Sequence, residues 1–166
     1  LENELSLDSF IAWLYATPLS TAIRDISWVI PTIQSAHIVA IAAVVGAALI
    51  TDLRLAGVFA TDEAPATIVR RYAPWTWGAL LVLLLTGLVM SAGEPDRVLV
   101  NSVFWFKMGM VVTVSVLTWL LHKPFLNTSP AGRRGWLNAF IKPAAWFSLL
   151  LWTGVIICGR WIAYAI

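Results

Sequence analysis

The chain has 166 residues and a formal net charge of +2; 60% of its residues are hydrophobic, only 12% are charged, and its mean hydropathy is +0.82. That balance excludes an ordinary soluble globular domain, and so few, so dispersed charges leave no electrostatic footprint for nucleic acid. One membrane domain fits the length, the ten tryptophans suit two water–lipid interfaces, and the single Cys158 excludes an intramolecular disulfide.

Residues 1–25 come first, with Leu7, Phe10, Ile11, Trp13 and Leu14 at mostly helical spacing after Ser6 or Asp8 as N-caps. The segment is charged at its ends and too short to cross, which predicts an interfacial amphipathic helix. Acidic residues stand where a signal peptide would be basic, so it is not read as a cleaved leader. Four runs of bilayer length follow, at 26–50, 74–92, 102–121 and 144–163, each near the ~20 residues a spanning helix needs. Pro31 lies inside the first run and either kinks it or marks where a preceding helix gives way to the true span. Pro74 is expected to open the second run, Gly93-Glu94-Pro95-Asp96 to close it, Lys123-Pro124 to end the third, and Lys142-Pro143 to precede the fourth. The unbroken stretch from Ala79 to Met90 lacks the two-residue alternation of a β-barrel strand. The predicted fold is an all-α integral membrane protein, a four-transmembrane-helix bundle with an interfacial N-terminal helix.

Arg54, Arg70, Arg71, Lys123, Arg133, Arg134 and Lys142 fall in the loops on one side, against Arg24, Arg97 and Arg160 on the other. The positive-inside rule makes the basic side cytoplasmic and both termini external, which in a bacterial inner membrane means periplasmic.

His37 in the first run and Lys107 in the third are ionisable groups within apolar sequence, and such residues are site candidates unless they reach water. At ~1.5 Å per residue they differ in height by roughly 5–8 Å, within reach of a lysine stem. Arg160, Gln34, Ser35, Met90, Met108, Met110 and Cys158 share this outer layer. Plainer readings stand beside these: a core histidine bonding a neighbouring helix for His37, and snorkelling for Lys107 and Arg160. His122 reads as an interfacial residue at the cytoplasmic edge, ~15 Å or more below His37 on the same rise, too far to share one iron with it in a single chain. Asp52 and Arg54 read as an ion pair or a helix cap.

Three stretches carry a resemblance: SAHIVAIAAVVGAALITDLRLAG, RRYAPWTWGALLVLLLTGLVM with its late Thr-Gly, and FWFKMGMVVTVSVLTWLLHK. They are similar to the four-helix membrane proteins related to the HemJ-type protoporphyrinogen oxidase and to the CopD copper-resistance protein. The chain resembles more closely still an uncharacterised bacterial family with a DLRL-type turn and a late Gly-Arg-Trp. The HemJ resemblance implies haem b held through His37 and Lys107, with Arg160 and Arg24 available to propionates or a substrate carboxylate. Imidazole is a standard axial ligand, and a lysine can ligate iron only as the free amine. The ending GRWIAYAI lacks the acidic and lysine-proline features of the HemJ type, so porphyrinogen oxidation is not expected.

The expected function is therefore quinone-linked electron transfer through haem b, with a periplasmic partner or larger complex. The alternatives are CopD-like copper passage over His37, Met90, Met108, Met110 and Cys158, whose soft ligands suit Cu(I), and an accessory subunit without chemistry of its own. A homodimer is open. No nucleophile or acid–base constellation commits the chain to being an enzyme.

Overall fold

A computed structural model of the chain describes residues 2–126 and 135–162, all helix or short connection. The elements are α1 (Glu2–Tyr15), α2 (Pro18–Asp25), α3 (Val29–Ala56), α4 (Pro65–Gly93), α5 (Pro95–Leu99), α6 (Ser102–Leu126) and α7 (Gly135–Trp161). Four helices are long and apolar enough to cross a membrane, Val29–Ala56, Pro65–Gly93, Ser102–Leu126 and Ala139–Trp161. They alternate in direction. α3 lies against α4 and α7, and α6 against α7 and α4, which closes a four-membered ring. We call the end that carries α1, α2 and α5 the upper end.

Local chemistry explains most boundaries. Thr17 caps α2, its side chain accepting from Ser20 N at 3.3 Å, with Pro18 in the first turn where a missing N–H costs nothing. The N-terminal segment is thus two helices broken at Ala16–Thr17. α3 starts at Val29, so Pro31 sits in its first turn instead of kinking a longer span; α2 is the preceding helix that gives way to it. α3 ends at Gly57, whose φ of 81° is left-handed, while Gly57 N bonds Arg54 O and Val58 N bonds Leu53 O, closing a Schellman motif.

Three prolines expected at boundaries lie inside helices. α4 runs through Pro74, α6 through Pro124 and α7 through Pro143. Each falls toward the lower end, where Arg70 Nε also donates to Phe125 O in the last turn of α6 at 3.2 Å. The spanning helices accordingly reach further at this end than apolar run lengths predict.

The lower end is tied by side chains. Arg54 donates through Nε and Nη2 to Glu63 O, and the Glu63 carboxylate takes Arg71 at 3.1 Å. Arg54 therefore braces the α3–α4 loop and is not the partner of Asp52. Arg54, Arg70, Arg71, Lys123 and Lys142 gather at this end; Arg133 and Arg134 lie outside the described residues.

Two clusters of buried apolar residues lie at the lower and middle levels, and Ile11, Ser20, Ile23, Gly93 and Pro95 are buried at the upper end. One cluster joins Leu55, Ala56, Val69, Leu121, Phe125 and Ala145, and a second, higher, joins Val44, Ala48, Ala79, Val114 and Trp152. Above Val114 in α6 and above Trp152 in α7 no described residue is buried, and in α3 none before Ala40. The bundle loosens toward its upper end. Outward-facing positions stay apolar, with Ile38, Leu84, Leu88, Trp119, Phe147 and Leu150 all exposed, as contact with lipid hydrocarbon requires.

Candidate functional site

The upper level holds His37 and Lys107. His37 Nδ1 lies 2.7 Å from Thr86 Oγ1, which itself lies 2.7 Å from Val82 O. A threonine hydroxyl has one proton; with that proton on the helix carbonyl, the hydroxyl accepts from His37 Nδ1–H and Nε2 keeps its lone pair. A bond to the far ring nitrogen is the usual way a ligating imidazole is oriented. Gly87, next to Thr86, borders the ring: a Cβ there would stand in ordinary contact, 3.8 Å from His37 Cε1. The Thr-Gly pair thus positions His37, a role no spacing rule could assign.

Lys107 lies on the α6–α7 seam, where a Cβ on Gly159 would be 3.5 Å from its Nζ. It is close enough to His37 and to Cys158 for electrostatic interaction with each. Met110, one turn below, rests on Gly154. Small residues of α7 therefore form the bed for both long side chains of α6. His37, Lys107 and Cys158 are each half-buried, in the loosened part of the bundle.

The arginines are placed differently. Arg24 Nη1 donates to Ser20 Oγ at 2.7 Å and to Gly93 O at 3.4 Å, Nη2 donates to Tyr15 O at 3.0 Å, and the guanidinium stacks 3.6 Å over the Tyr15 ring. It ties α1, α2 and the top of α4 together. Arg160 follows Gly159 and is exposed. Trp28, Trp105 and Trp161 are exposed at the upper end, the disposition of an aromatic belt.

A second polar level escaped the sequence reading. His122, near the lower end of α6, is buried within the protein: it is 1% exposed, and neither ring nitrogen has a hydrogen-bond partner. Asp52 is equally buried and faces the Ser148 hydroxyl without closing a hydrogen bond of good geometry; Asp52 Oδ2 and Ser148 Oγ are both unpartnered. Thr118 Oγ1 and Trp152 Nε1 complete a set of buried unpartnered atoms. Leaving one such group unmade costs about 1–3 kcal/mol, so several at one level is not an accident of packing. Asp52 and His122 were legible as ionisable residues near helix ends. What hid them was assuming that the helices stop where the apolar runs stop.

Among the described residues, no group of three or more His, Cys, Asp or Glu is placed to hold a metal ion. No curated protein and no solved structure matches the chain. A family model of unknown function, DUF6644, matches residues 10–165, nearly the whole bundle and both polar levels, and the chain belongs to that family.

Proposed function

We propose that this protein binds haem b at the upper level and passes electrons between the membrane quinone pool and a periplasmic partner or larger complex. What supports the reading is the His37 imidazole, held by Thr86 through Nδ1 and within electrostatic range of Lys107, at a level where α3, α6 and α7 bury none of their described residues. Cofactor sites in helical bundles are built this way, from inward side chains on facing helices. The group, when bound, supplies a one-electron ferric–ferrous couple.

The chain's own residues would do the rest. His37 would hold the iron through its imidazole, with Thr86 keeping the ring in place. Lys107 is the second nitrogen donor as a free amine, or the counter-ion of a propionate as an ammonium. Arg160, exposed beside Gly159, is the other cation available to a propionate. Arg24 acts from further away, fixing the helices that roof the site. The basic lower end supports a reading, by the positive-inside rule, in which that side is cytoplasmic and the upper level periplasmic in a bacterial inner membrane.

The test is the reduced-minus-oxidised absorption spectrum of the detergent-solubilised protein. A Soret band that is lost or shifted in His37→Ala is expected. Absence of the band, or its survival unchanged in His37→Ala, overturns the proposal. Copper bound instead, dependent on Met108 or Cys158, would replace it with metal passage.

A further inference from the structure

The lower polar level is a single layer contributed by all four spanning helices. On α3, Thr51 and Asp52 fall between Ala48 of the upper cluster and Leu55 of the lower one; on α7, Ser148 falls between Trp152 and Ala145. On α6, Thr118 lies between Val114 and Leu121 and His122 between Leu121 and Phe125 of the lower cluster, and on α4, Thr76 lies between Ala79 and Val69. Each of these polar side chains is 1% exposed or less. Apolar side chains of the two clusters lie above them, below them and, at Leu121, among them.

The chemistry of the layer selects its guest. Trp152 Nε1 can only donate and an ionised Asp52 can only accept, whereas the hydroxyls of Thr118 and Ser148 and a neutral His122 do both. A metal ion finds too few acceptors, since no third His, Cys, Asp or Glu joins Asp52 and His122 among the described residues. An anion would meet the Asp52 carboxylate. Water satisfies donors and acceptors together, and the unpartnered atoms suffice for about two buried molecules at some three bonds each. Asp52 and His122 each lie four residues from the lower end of their helix, about 6 Å from it at the helical rise. The apolar cluster around Val114 and Trp152 separates them from His37, which stands about 22 Å higher by the same rise.

We infer that this layer is a hydrated proton-exchange site, in which Asp52 and His122 share a proton through water and the Thr118 and Ser148 hydroxyls and exchange it with the lower aqueous phase. One proton moves between a carboxyl oxygen and an imidazole nitrogen, and no other bond is made or broken. Intramembrane carboxylate and histidine groups characteristically serve such relays. Other ionisable groups near the layer are engaged elsewhere: Arg54 on Glu63 O and Arg70 on Phe125 O, while Lys142 lies beside Gly57, nearer the lower end. α4 contributes Thr76 to the layer and no ionisable side chain that is buried. The site is independent of cofactor binding above it.

Infrared difference spectra across a pH step, recorded on the full chain in lipid nanodiscs, test this. Aspartate labelled with carbon-13 isolates the relevant band, because Asp8, Asp25, Asp62 and Asp96 are all exposed and only Asp52 is buried. A protonated-carboxyl band is expected that shifts in deuterium oxide, moves in His122→Gln and vanishes in Asp52→Asn. If Asp52→Asn fails to insert, the labelled wild-type protein and His122→Gln decide. A band missing at every pH, or one indifferent both to deuterium oxide and to His122→Gln, overturns the inference.

Discussion

At the scale of single residues, Thr86 is the most consequential side chain after His37 itself. Its hydroxyl bonds both a backbone carbonyl of its own helix and the imidazole of another, so it holds the ring's direction. Thr86→Val keeps the shape and removes the bond. Partners at this remove from a bound metal usually contribute 10–100-fold to affinity, so haem affinity should fall at least about 10-fold, with a shifted spectrum. A titration of haem into the apoprotein measures both. An unchanged affinity would mean that the imidazole needs no orienting. The sequence displayed Thr86 only as the first residue of a Thr-Gly pair; that it touches His37 depends on the rotation of α4 against α3.

At the scale of elements, the N-terminal helices are held by buried Ile11 and Ile23 and by one guanidinium. Arg24 reaches Tyr15 O, Ser20 Oγ and Gly93 O, and so holds α1, α2 and α4 with a single side chain. Hydrogen bonds from a charged donor contribute about 1.5–3 kcal/mol, and Arg24→Ala should release α1 from the bundle by roughly that amount. Hydrogen exchange read over residues 8–17 should then accelerate at least about 10-fold, since 1.4 kcal/mol corresponds to one decade; equal exchange in wild type and variant would contradict the clamp. The same scale shows why the prolines misled. A proline forbids its own N–H bond, but α4, α6 and α7 carry theirs where polar groups of neighbouring helices gather, and the helices continue. Proline marked a perturbation in each helix, not its end.

For the whole molecule, four apolar helices with an apolar exterior establish a multi-pass membrane bundle, and the clustering of basic residues at the lower end gives its proposed orientation. In a Cys158→Ser background, Asp62→Cys reports on the lower end and Asp96→Cys on the upper. A membrane-impermeant maleimide added to spheroplasts should label Asp96→Cys and leave Asp62→Cys unlabelled until the cells are opened. The reverse pattern would invert the molecule and place the upper level on the cytoplasmic side.

The sequence by itself determined the class, the number of spans, their alternation and the candidacy of His37 and Lys107, because apolar run length and the rarity of charge in hydrocarbon are properties of the chain read in one dimension. Only the tertiary structure decided which faces meet. It set His37 within electrostatic range of Lys107, gave Thr86 to the imidazole, turned Arg24 inward as a clamp and buried Asp52 and His122. In helices that are apolar on nearly every side, no periodicity distinguishes the face toward protein from the face toward lipid. Rotation about each helix axis is set by packing against the others.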